Sequence, residues 1–364
     1  MRSKLIRNAY ESLLTTMAAV LLCWGAALWL EGAAGLHTDV PVLAVALALT
    51  LSSSQRTAST RRRLAALVLL PVAAAGAQLL GRLIMHHYAA GAAVFTLGIS
   101  LGIWIRRFGP TATRAGTLMT LPFVALLVVP GPALPPAAER GLMSWFWAAA
   151  IGVLACAGVW LVQGLGDRYG PGRPDPVRSA PRRVSLSRPR PSTRMALQMA
   201  AAVAAAFLCG RLLFGDHWPW AVLTAYVVAS GNRGRTDVSR KGVERFLGAT
   251  VGTLLATGVA AMGITGAASV AVMFAILTVA LWLRPLNYAY WAAGITTALS
   301  LLLGYFGQNA TGLLPTRLAA IALGAALSIT AAWCLLPVDA PAPALPFRGS
   351  GGRAQAEGGR LGAG

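Results

Sequence analysis

Apolar residues fall in twelve blocks along this chain, at 15–36, 39–54, 64–81, 88–105, 115–130, 142–165, 195–214, 216–231, 246–264, 266–283, 288–306 and 318–336, and most charges lie in the gaps between them. About 20 apolar residues carry a helix across the hydrocarbon of a bilayer. The pattern therefore predicts an all-α polytopic membrane protein of about 12 transmembrane helices. Blocks 39–54 and 115–130 would reach only about 24 Å at 1.5 Å per residue. They must lean on other helices, thin the bilayer locally or extend into their flanks.

The gaps sort the charges. Lys and Arg alternate between many and few from one gap to the next, and gaps two apart share a side of the membrane. One side then collects 27 positives and the other 4, namely Arg82, Arg140, Arg211 and Arg317. That bias places both the N- and the C-terminus in the cytoplasm. The first block follows Arg2, Lys4 and Arg7 as a signal peptide would. Removing it would put the new N-terminus outside, so it is read as a retained span.

Composition agrees with a lipid solvent: 12% of residues are charged and 56% hydrophobic, with a mean hydropathy of +0.64, where a soluble chain carries about a quarter charged. A net charge of +20 would otherwise raise nucleic-acid binding. Here insertion topology and anionic lipid account for it, so the expected partner is the lipid bilayer and no nucleic acid is expected. Arginine so outnumbers lysine that a GC-rich bacterial genome is indicated. The chain is expected in the plasma or inner cell membrane.

The two halves read as copies. Ile103-Trp-Ile-Arg-Arg-Phe108 matches Leu281-Trp-Leu-Arg-Pro-Leu286 at an offset of 178, which also lays Met17 on Met195. One residue less lays Asp39 on Asp216, each followed within three residues by a proline (Pro41, Pro219). Six spans per half give both copies the same orientation, a parallel 6+6 repeat about an axis along the membrane normal. The expected organisation is a first membrane half over 1–165, a basic Pro/Arg-rich disordered cytoplasmic linker over 166–194, a second membrane half over 195–336 and a disordered cytoplasmic tail over 337–364. Neither polar segment can bury a core, and no segment accommodates a soluble catalytic domain.

Paired carboxylates, a nucleophile with its base, and ligand clusters are all missing at usable spacing. No catalytic residue, cofactor or metal is therefore expected. Cys23, Cys156, Cys209 and Cys334 lie singly in apolar blocks as small hydrophobes, and the adjacent His86 and His87 cannot share a helix face. The chemistry left is that of a path. Short or interrupted spans in matching places of two repeats mark transporter substrate sites, and blocks two and eight each open on an aspartate and a proline. Asp39 and Asp216 are candidate proton acceptors, or simply the polar starts of their helices. Glu31 and Arg211 lie inside the first span of each half. They either pair across the pseudo-axis, as intramembrane charges usually do, or snorkel to the outer headgroups. Thr224 and Tyr226 are candidate walls of a pocket accepting an aromatic ring. Arg106, Arg107 and Arg284 close blocks four and ten, where they would recruit an anion or merely obey topology. Gly248 and Gly252 form a GxxxG pair, a helix-packing signal.

Trp218-Pro-Trp-Ala-Val-Leu-Thr224, then Gly231-Asn-Arg-Gly-Arg-Thr236, then Arg240 and Arg245-Phe-Leu-Gly-Ala-Thr-Val-Gly252 resemble the fusaric acid resistance family. That family includes bacterial aromatic carboxylic acid exporters. The resemblance is strongest over 195–336 and fainter over 15–165, and it adds Trp220, Thr224, Arg240 and Arg245 as motif positions, Trp220 and Thr224 among the residues of the path and the two arginines in the cytoplasmic anion-recruiting set. It implies proton-driven efflux of small organic, including aromatic carboxylic, anions. Many members carry a large cytoplasmic domain that this chain replaces with its short linker. A second copy of the chain or an accessory export component is the protein partner such a bundle would take. Two other classes stay open: a passive organic-anion channel, and a membrane assembly protein that transports nothing.

Overall fold

The computed structural model describes residues 2–35, 39–55, 60–128, 143–169, 191–231, 234–264, 266–305 and 314–335. Among them are twelve α-helices: α1 (Arg2–Ala34), α2 (Asp39–Gln55), α3 (Thr60–His86), α4 (Tyr88–Trp104), α5 (Pro110–Val128), α6 (Met143–Tyr169), α7 (Pro191–Phe214), α8 (Trp218–Ala229), α9 (Arg235–Ala261), α10 (Gly266–Leu283), α11 (Tyr288–Tyr305) and α12 (Leu314–Cys334). Each coincides with one apolar block. The central part of the linker (170–190), the tail from 336 onward and Arg140 lie outside the described residues.

Six stretches are long and apolar enough to cross a membrane, by length and composition: Leu13–Ala34, Arg63–His86, Tyr88–Phe108, Ser192–Ala229, Gly266–Leu283 and Leu314–Cys334. Twelve independent spans were expected. Part of the difference lies in short apolar runs, Val40–Ser52 of α2 and Ala149–Leu165 of α6, and part in α8, which continues the α7 stretch and whose 12 residues rise only about 18 Å. Its buried run Ala221–Ala225 is enclosed by α5, α7, α9 and α12. Such a helix is held by protein rather than by lipid.

Helix ends depart from the blocks where charge begins. The basic stretch from Arg235 to Arg245, expected as a loop, is the first three turns of α9. Gly234 precedes it, and Asp237 in the first turn complements the helix dipole. The linker likewise starts later and ends earlier than expected, because α6 continues to Tyr169 and α7 begins on Pro191, whose fixed φ suits a first helical position.

In lipid, helices associate through close packing of small residues rather than through hydrophobic burial. The interior is accordingly rich in alanine, including Ala19, Ala44, Ala48, Ala66, Ala155, Ala206, Ala225, Ala249, Ala292 and Ala320. In the first half α1 packs on α2 and α6, α2 on α6, α3 on α5 and α6, and α4 on α5. In the second half α7 packs on α8 and α12, α8 on α12, α9 on α11 and α12, and α10 on α11. The halves meet where α4 lies against α7 and α1 against α10. Tyr88 donates a hydrogen bond to the Phe207 carbonyl at 2.8 Å across the first of these seams, among the rings of Phe95, Phe207 and Trp218.

Two seams leave no room for a side chain. A Cβ on Gly248 or Gly252 would run into the Ala289 or Ala293 carbonyl of α11, and Thr297 bonds across to the Gly252 carbonyl at 2.9 Å. A Cβ on Gly324 of α12 would strike the Ala221 carbonyl of α8, and Ser328 bonds the Ala225 carbonyl at 2.9 Å.

Candidate functional site: a buried guanidinium pair

The polar interior of the second half gathers around one small cavity. It is lined by Leu127 of α5, Trp220 and Thr224 of α8, Arg245 of α9, Leu302 of α11 and Arg317 of α12, among others. About 20 Å³ of it is open to the centre of a water molecule, room for one or two waters. Arg245 and Arg317 are buried, with 5% and 4% of their surfaces exposed. Arg317 donates to the Ser300 hydroxyl at 2.6 Å, and its guanidinium lies 5.7 Å from the centre of the Trp220 ring. Ser300 in turn donates to the Thr296 carbonyl at 2.9 Å.

Arg245 makes no hydrogen bond or ion pair among the described residues, and its Nε is fully enclosed without a partner. The Thr224 hydroxyl beside it is also buried without one. Among the described residues, no carboxylate lines the cavity. An uncompensated buried charge costs several kcal/mol. Two guanidiniums, donors only, thus meet hydroxyls and an indole in one place, a set of groups complementary to an oxyanion.

The sequence reading placed Trp220 and Thr224 on a path, and both are in this wall. Arg245, expected in the cytoplasmic recruiting set, is instead buried ten residues inside α9. Tyr226 does not line the cavity: two positions beyond Thr224 it faces the other way, into the cluster of Phe95, Met199, Val203 and Phe207. Arg317 was counted only as one of the outer positives. The overlooked signal was helical spacing. Arg245, Gly248 and Gly252 share a face, as do Arg317, Gly324 and Ser328, and a small-residue face is a buried one.

The remaining candidates sit elsewhere. Arg211 pairs with Asp216, five residues on, rather than with Glu31. Both partners are exposed, at 48% and 92% of the side chain. Exposed pairs contribute about 0–1 kcal/mol, so Asp216→Asn is expected to leave the thermal unfolding temperature and any transport rate nearly unchanged in the purified protein. Glu31 lines a second, largely apolar cavity with Trp24, Pro41, Val42 and Met273, which shares Leu302 with the first. Asp39 opens α2; its side chain lies outside the described ones. Arg107 is exposed, 3.8 Å from the Trp104 ring centre and 4.6 Å from that of Phe108. Arg284 is exposed over the Trp291 ring at 5.3 Å. Arg106 is half-buried in the turn after α4, its Nε without a hydrogen bond. Arg240 is exposed and held by Glu244 at 2.7 Å.

Neither a curated protein nor a solved structure matches the chain. The family model described as fusaric acid resistance protein-like matches residues 197–331. The resemblance read from the residues is thus matched over the region that supplies both buried guanidiniums, and residues 197–331 of this multi-pass membrane protein are similar to the fusaric acid resistance protein-like family.

Proposed function

We propose that the protein is an efflux transporter of the cell membrane for small organic anions, aromatic carboxylates among them, driven by the proton gradient. One observation carries the reading: Arg245, buried without a carboxylate among the described residues, shares a small cavity with Arg317 inside a bundle of apolar helices. An intramembrane charge of this kind is a functional site by default. The guanidiniums match the carboxylate chemically, and the Trp220 ring offers a face to an aromatic body.

The bundle is read as two six-helix repeats inserted in the same orientation. Support comes from the matching helix partners of the two halves and from two crossings. A Cβ on Gly102 of α4 would press on Gly116 of α5, and a Cβ on Gly294 of α11 would collide with Ala280 of α10. Both members of the pair differ by 178, the offset found from the sequence. Three of the cavity's residues have no polar counterparts in the first half: at this offset Trp220, Thr224 and Arg245 correspond to Val42, Ala46 and Leu67.

A passive anion path is the second reading, favoured by the lack of a carboxylate in the wall of the first cavity. An inside-negative potential alone drives an anion outward, by about 2.3 kcal/mol per 100 mV. Proteoliposomes loaded with labelled benzoate test both. Efflux that accelerates under an inward proton gradient and slows when an ionophore collapses it is the expected result. Flux indifferent to the collapse selects the passive path, and no flux of benzoate or acetate above empty liposomes overturns anion transport.

A further inference from the structure

Lys241 lies one helical turn before Arg245 on α9 and therefore on the same face. Its ammonium donates to the Ser230 carbonyl at 2.7 Å, at the residue that caps the end of α8, and stands 5.4 Å from the centre of the Tyr288 ring at the start of α11. This hydrogen bond is its only one among the described residues, which leaves two of three donors unused. No carboxylate pairs with it: Glu244 is engaged by Arg240, and Asp237 is exposed one turn earlier on α9. The other charged and titratable groups with described side chains on the packed elements are Arg284 before α11, Tyr288 and Tyr290 at its start, Tyr226 on α8, and the exposed Cys334 at the near end and Arg317 at the far end of α12.

We propose that Lys241 is a second anion station, taking a carboxylate that arrives on the Arg284 side and passing it along α9 to Arg245. The proposal rests on the transport reading above. Four residues of helix separate the two cations by about 6 Å along the axis, a step a carboxylate can make while one of its oxygens stays near a positive group. Burial, with Arg245 and Arg284 adding repulsion, pushes the Lys241 ammonium down to about 8. The station is charged below that pH and empties of charge above it, so the hand-over weakens as pH rises through 8.

The test uses the full chain in benzoate-loaded liposomes with the same pH on both sides, scanned from 6.5 to 9.5, a range in which benzoate stays ionised. The unaltered protein is expected to lose efflux about tenfold across the scan, the scale of a focused charge on anion capture. Lys241→Arg, charged throughout, should hold the low-pH rate to the end of the scan, and Lys241→Met should be slow at every pH. A Lys241→Arg protein that falls with pH as the unaltered one does, or a Lys241→Met protein with its full rate, would overturn the station. If Lys241→Met fails to assemble because the clamp between α8 and α9 is lost, the arginine comparison still decides. Loss of flux in Arg245→Met with an unchanged Lys241→Arg profile sinks the station alone, and no benzoate flux in the unaltered protein removes the transport reading and the station together.

Discussion

Replacing Arg245 with methionine should reduce anion transport by about a hundredfold or more while making the empty protein harder to unfold. Truncating one side of a buried charge pair removes 2–5 kcal/mol of binding, and a hundredfold is about 2.7 kcal/mol. In the proposed function the anion would be the missing side of that pair, since Arg245 is 5% exposed and meets no carboxylate among the described residues. A hydrophobic residue of similar volume also relieves the solvation cost of the guanidinium, worth about 1–4 kcal/mol in stability. The two effects have opposite signs, which separates a binding role from a structural one. Benzoate efflux and thermal unfolding on the same preparation check both. A variant less stable and still active would assign Arg245 to packing.

The second large effect is expected at Gly252. A side chain there must displace the Ala293 carbonyl and Thr296 of α11 and would also break the Thr297 hydrogen bond to the Gly252 carbonyl. Overpacking costs about 3 kcal/mol where nothing can yield, and here the obstacle is backbone. Gly252→Leu should therefore lower the unfolding temperature steeply and reduce the yield of folded protein in detergent. Gly258, on the same helix with nothing within 4 Å of its would-be Cβ, supplies the comparison, and Gly258→Leu should be tolerated. Equal behaviour of the two variants would mean that the α9–α11 seam is not what holds these helices together.

The helices were legible in the residues because the bilayer imposes one requirement, a run of apolar side chains, and each of the twelve runs became a helix. Their ends were not, since a helix continues past the hydrocarbon wherever good helix formers follow, as Arg235 to Arg245 do at the start of α9. The same gap hid the site. Arg245 and Arg317 were counted among the charges that set topology, a rule blind to which face of a helix a charge occupies. Trp220 and Thr224 were recognised through the family motif, and their meeting with two cations from other helices is long-range information that no local pattern holds. The proposed pairing of Glu31 with Arg211 failed for a related reason: a partner five residues away on the same surface was closer than one across the bundle.

Two of the tight seams of the second half flank its polar cavity. Glycine contacts zip α9 to α11 and α12 to α8, and the cavity lies between these pairs, with Arg245 on one and Arg317 on the other. In the proposed function, passage of anything larger than water would have to widen this cavity by moving α9 relative to α8 and α12, on which it also packs. The like charges of Arg245 and Arg317 repel across this cavity; in the proposed function a captured anion would cancel that repulsion, so the cargo itself would favour the closed state around it.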